Sequence, residues 1–280
     1  MVLLILLVAG LAVVAPPAGA ETAEEALATA DAAYARRAEG ARGAVADPVR
    51  VEEALAGYRR ALAAQPDNRP ALLGLLRALH FRAAFCGARE AERKALFEEG
   101  RRRAQAAVDA LEKQAAARGG ERIAALREAP QAALVYYWAA VHWGQWGLLR
   151  GKLTSARAGV ASKVRDDAET VLALDPQLEE GGADRLLGRL HDQAPKILFV
   201  TGWISKRKGL EHLRRSLALG PRNSVTRFFL AEAILEHDPA HREEARGLLS
   251  LCATSPPRPE FLVEDAHYAA LARARLAALK

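Results

Sequence analysis

The residues with the most chemical potential in this sequence are aromatic and cationic. Three of the four tryptophans (Trp138, Trp143, Trp146) and two of the five tyrosines (Tyr136, Tyr137) fall between positions 136 and 146 of a 280-residue chain that is only 6% aromatic. His142 lies among them. Ring faces with N–H or O–H tips suit an apolar cavity that carries a polar handle. Further on, Arg185 and Arg189 stand four apart after Gly181 and Gly182, a spacing that lets two guanidiniums clamp one anionic group if the segment is helical. Each has a blander reading: His142 as a core imidazole with one hydrogen bond, the arginines as solvated or structural side chains.

Catalytic sets are missing from the sequence. It contains no Walker loop, HExxH, GxSxG or dinucleotide fingerprint, and Gly181-Gly182 lacks the preceding strand that a phosphate turn needs. His142 has no carboxylate nearby in sequence, so no catalytic residue and no cofactor are assigned. His237 and His241 have the i,i+4 spacing of metal ligands, but Pro239 between them interrupts a helix; they read as a polar loop, and no metal is expected. Cys86 and Cys252 are 166 residues apart without a CxxC neighbour, and read as two buried small hydrophobes rather than a disulfide.

The elements that must position these residues are helices. Apolar content is 51%, dominated by Ala and Leu, with Arg and Glu filling much of the remainder, a composition that favours an all-α chain. The formal net charge is +6, yet Arg and Glu interleave along most segments, which reads as solvated helix faces rather than a nucleic-acid surface. Residues 1–20 are uncharged, apolar up to Pro16-Pro17 and end in Ala18-Gly19-Ala20, the pattern of a secretory signal peptide, with an uncleaved anchor as the alternative. Export follows, and no cysteine is available there for a lipid anchor. Residues 21–280 then form a single domain.

Thr22 and Glu25 form a capping box for a first helix. In the next, Ala54, Tyr58, Ala61 and Pro66 give the order small, large, small, proline that resembles the second helix of a tetratricopeptide (TPR) repeat. Small residues let helices approach, the large one fills the gap, and proline ends the helix. The spacing recurs at Val164, Ala168, Val171 and Pro176, at Gly209, Leu213, Ser216 and Pro221, and more weakly at Glu244, Leu248, Leu251 and Pro256. The 110 residues between Pro66 and Pro176 leave room for about three further units at the TPR period. The expected fold is therefore a compact solenoid of degenerate TPR-like helical hairpins. The aromatic helix at 130–150 sits mid-chain, Tyr136, Trp143, Trp146 and Arg150 along one side and Trp138, His142, Gln145 and Leu149 along another. The β-prone run Lys196–Trp203 reads as an insertion whose end, Val200 to Trp203, packs on a neighbouring helix, and the helix from Glu264 caps the stack.

The sequences YYWAAVHWGQW (136–146) and EEGGADRLLGRL (179–190), followed by GLEHLRRSLALGPRNSVTRFFLAEAIL (209–235), resemble the T-component of tripartite ATP-independent periplasmic (TRAP) transporters. The resemblance covers most of residues 50–255. It implies a periplasmic, non-enzymatic accessory protein that associates with a substrate-binding (P-component) protein, assembles as a homotrimer and handles hydrophobic or amphipathic organic acids. It also implies that Tyr137, Trp138, Trp143 and Trp146, with Gly181, Gly182, Arg185 and Arg189, line or shape a ligand cleft, in which His142 is a further candidate. Members are commonly lipoproteins, and the missing lipid-accepting cysteine departs from that pattern. The alternative is a TPR scaffold for a protein partner in the cell envelope, its aromatics serving only the core.

Overall fold

The computed structural model describes residues 21–196 and 201–279. The expected signal segment and half of the β-prone run, residues 197–200, lie outside them. Among the described residues there is no strand, and the one β-type contact is an isolated bridge between Arg42 and Val45.

The chain folds as successive antiparallel helices. The first hairpin is α1 (Ala23–Ala35) and α2 (Val49–Ala64), with the Thr22–Glu25 capping box in place. Next come α3 (Arg69–Phe85) and the 29-residue α4 (Glu90–Arg118), a short α5 (Arg122–Arg127), the aromatic α6 (Ala132–Arg150), a short α7 (Lys152–Arg157) and α8 (Val160–Leu174). The second half comprises α9 (Leu178–Gln193), α10 (Lys206–Leu219), α11 (Ser224–His237), α12 (Arg242–Thr254) and α13 (Leu262–Ala278). The interval between Pro66 and Pro176 thus holds the long α4 and two short linkers in place of three regular units.

The small-large-small signature does what its chemistry predicts. Ala54, Tyr58 and Ala61 are fully buried, and the Tyr58 ring lies so close to Gly74 of α3 that a Cβ there would collide with it. Tyr58 also donates to Asp31 of α1 at 2.6 Å, which ties three helices together. The signatures in α8 and α10 are buried in the same way. In α12 the better-buried register is one residue later than expected: Ala245, Leu249 and Cys252, which precede Pro257, are buried, while of the expected set Leu248 is buried and Leu251 is 51% exposed. The tandem Pro256-Pro257 allows both registers, and only burial distinguishes them.

Two turns share a second device. Asn68 and Asn223, each two residues after the helix-ending proline, cap α3 and α11 by accepting from Ala71 N (3.0 Å) and Thr226 N (3.1 Å). After Pro176 the equivalent residue is Leu178, which cannot cap, and α9 begins irregularly: Glu179, Glu180 and Gly181 all have left-handed backbone, φ +52°, +55° and +74°. Gly181 accepts that geometry without cost, whereas the two glutamates do not.

The last helix does more than cap. Val263 of α13 is buried in the apolar core of α1–α3, Glu264 pairs with Arg37 at 3.1 Å, and His267 meets the Phe85 ring edge-on at 5.4 Å. The end of the solenoid therefore returns to its start, and the helices enclose a central cavity. Cys86 and Cys252 are separate, free and buried.

Candidate functional site

The cavity has a volume of about 1200 Å³ and is walled by residues from α1, α3, α6, α7, α8, α9, α11 and α13. Its apolar surface includes Phe81, Phe85, Trp138, Val141, Leu186 and Phe229.

Helix α6 divides its aromatics between two neighbours. Tyr136 donates to Glu112 (2.6 Å), Trp143 to Gln105 (2.8 Å) and Trp146 to Glu98, and Arg150 lies 3.4 Å from Glu98. The acceptors are seven residues apart on α4, as are Tyr136, Trp143 and Arg150 on α6, so the two helices run antiparallel through a ladder of satisfied polar tips. Trp143 and Trp146 are thereby sealed in the core and do not line the cavity. His142 is fully buried, hydrogen-bonded to the Leu76 carbonyl at 3.0 Å, and lowered by burial to about 3, so it is a neutral core imidazole. The cavity side of α6 carries Tyr137, Trp138, Val141, Gly144, Gln145 and Leu148. Sequence placed Trp138 and Gln145 on this face correctly but set His142 and Leu149 beside them, where Val141 and Leu148 stand.

Gly181 and Gly182 shape the wall without lining it. A Cβ on Gly181 would press on Ser216 and Leu219 of α10, and one on Gly182 would stand 2.6 Å from the Tyr137 ring. These close approaches bring the start of α9 against both neighbours. Arg185 and Arg189, one turn apart on α9, both reach the cavity, but they differ in charge balance. Arg189 donates to Asp192 at 2.7 Å and stacks 4.5 Å above Phe229. Arg185 is 8% exposed and donates only to neutral acceptors: Tyr137 Oη and Thr226 Oγ1 at 3.3 Å and the Glu179 carbonyl at 3.2 Å. A buried guanidinium without a carboxylate has not recovered its desolvation cost and favours any anion that reaches it. The buried indole N–H of Trp138, on the same wall, has no acceptor among the described residues.

Several cavity groups were not legible in the sequence. Arg77 of α3 rests 5.3 Å from the Tyr34 ring without an ion pair among the described residues. Arg258 holds Asp265 at 2.9 Å and Glu180 at 2.7 Å, pinning the left-handed turn. His80, its ring tilted against that of Trp138 at 5.7 Å, is pushed down to about 4 by burial and is neutral at pH 7. Burial raises Glu264, opposed by Arg37. These residues lie far from α6 and α9 in sequence: α3 carries His80 directly onto Trp138, and closure through α13 brings up Arg258 and Glu264.

His237 and His241 separate. His237 ends α11 and hydrogen-bonds to Asp192 at 3.0 Å, while His241 pairs with Asp238 at 2.9 Å. Asp192, Glu236 and His237 converge within 4.8 Å, but Asp192 already accepts from Arg189 and Gln193. The His237–Asp192 hydrogen bond ties α11 to α9. Trp203, the described end of the β-prone run, meets His191 of α9 edge-on at 5.5 Å beneath the Arg165 guanidinium, the packing expected for it.

No family model matches the chain, and no curated protein matches it in sequence. Among solved structures it is similar to TTC0263, a thermophilic TPR protein of Thermus thermophilus, with a TM-score of 0.54 at 16% identity over 91% of this chain and 97% of that one. The fold is thus an all-α, TPR-like solenoid of helical repeats.

Proposed function

We propose that this chain is a non-enzymatic binding protein whose closed solenoid takes an amphipathic organic acid into its central cavity, as a periplasmic T-component-like accessory of a TRAP-type uptake system. One observation carries the ligand class: the buried Arg185 guanidinium faces a largely apolar cavity with no carboxylate partner among the described residues. A carboxylate there would gain charge-assisted hydrogen bonds while its tail covers Trp138, Phe81 and Phe229. The two stretches that resemble the TRAP family, at 136–146 and 179–190, meet at this wall, which supports the transport setting. A P-component-like protein is the partner this reading requires, and trimerisation would follow the same likeness.

The test is tryptophan fluorescence titrated with medium-chain fatty acids and aromatic acids. A saturable change is expected in the native chain, lost in Trp138→Phe and retained in Trp143→Phe. No saturable change with any acid counts against the ligand.

A second reading, a scaffold for a protein partner, is supported more directly by the likeness to a TPR protein, because solenoids present extended binding surfaces. Under it, a peptide segment occupies the cavity, and small acids leave the fluorescence unchanged.

A further inference from the structure

The rim of the cavity carries a feature that ligand binding does not use. Residues 129–165 contain five cations (Arg150, Lys152, Arg157, Lys163 and Arg165) and no carboxylate, so five of the six net positive charges fall in this stretch. Arg165 is compensated by Asp166 at 2.8 Å, and Arg150 has Glu98 at 3.4 Å. Lys152 and Arg157, both on α7, have no ion-pair partner among the described residues. No side chain of α7 is buried. Gly151 and Gly159, φ +81° and +65°, bracket it, and nothing lies within 4 Å of where a Cβ would stand on either. Leu148 and Leu153, 66% and 65% exposed, are the most exposed large apolar side chains described.

Two leucines among cations on an exposed lip are a poor core for a protein interface, which needs roughly 800 Å² per partner and disfavours lysine. They suit a surface that offers phosphates outside and hydrocarbon just beneath. We propose that this rim docks on an anionic bilayer, with Leu148 and Leu153 entering the headgroup region and Arg150, Lys152 and Arg157 meeting lipid phosphates. Among the described residues no helix is long and apolar enough to cross a membrane, so the contact is peripheral. Leu148, Lys152, Ser155 and Ala156 also line the cavity, so its mouth would face the bilayer. Docking itself does not depend on what the cavity binds.

The experiment is cosedimentation of the chain from Glu21 onward with vesicles of phosphatidylcholine alone and of equal phosphatidylcholine and phosphatidylglycerol. Binding is expected only to the anionic vesicles and falls as salt rises. Lys152→Glu with Arg157→Glu should weaken it about tenfold or more, and Leu153→Ser should weaken it with the charge intact. Because α7 buries nothing, both variants should unfold at the native urea midpoint. The control Lys208→Glu with Arg222→Glu, on α10 and in the turn after it, removes the same charge outside α6 and α7 and should bind as the native chain does. An equal loss in the control would overturn the rim assignment. Absence of binding to either vesicle, or retention of an acidic protein through Leu153 in its place, would overturn the bilayer as occupant.

Discussion

Arg185 and Arg189 lie one turn apart on the same helix and yet differ in chemistry, because Asp192 is within reach of only the second. A guanidinium already paired gains little from a ligand, whereas one bonded to a phenol, a hydroxyl and a carbonyl gains a charge-assisted contact. Arg185→Gln should therefore weaken binding of an amphipathic acid about tenfold to a hundredfold, and Arg189→Gln should weaken it less, as read by fluorescence titration. Asp167 of α8 gives a prediction independent of ligand. Burial lifts its carboxyl from the usual range to about 7, and one of its oxygens has no hydrogen-bond partner among the described residues. Raised in the fold, it withdraws stability as pH climbs from its unfolded value near 4 through 7, by up to about 4 kcal/mol. Asp167→Asn should lift the urea midpoint more at pH 8 than at pH 5; an equal lift at both would disprove the assignment.

Individual helices follow local rules closely enough for the sequence to place them, and they fail where those rules are silent. Asn68, which caps α3, should cost about 1 kcal/mol when replaced by alanine, measured by chemical denaturation. In α12, Leu249→Ala should cost about 2–5 kcal/mol and Leu251→Ala less than about 0.5, since only the first is buried. The sequence favoured Leu251 because it counted back from Pro256, and Pro257 is the proline that fits the packing. The two faces of α6 were legible from its 3.6-residue period, and so was the reach of Trp138 and Arg185 toward one site. Which aromatics serve the core was not legible, because it depends on α4 presenting Glu98, Gln105 and Glu112 as acceptors, a long-range match that periodicity on either helix does not reveal. The left-handed entry into α9 was hidden for a similar reason: it is stabilised by Glu180 binding Asn223 and Arg258, which are distant in sequence.

Closure of the whole molecule turns a solenoid into a container. The last helix meets the start of the chain through Glu264 on Arg37, just past α1, His267 on Phe85 at the end of α3, and the insertion of Val263 into the core of α1–α3. This seam is small, so Val263→Ala should raise amide exchange across α13 and weaken acid binding while the repeats between stay folded. The cavity's contents then follow from what closure encloses: apolar rings, paired ions and, among the described residues, the buried Arg185 without a counter-ion. The most direct measurement is a calorimetric titration of the native chain with a medium-chain fatty acid and with its methyl ester, each repeated on Arg185→Gln. A cavity governed by Arg185 binds the acid at one site per chain, binds the ester at least about tenfold more weakly, and loses that preference in the variant. Equal affinity for acid and ester in the native chain, or a preference that survives in Arg185→Gln, would contradict it.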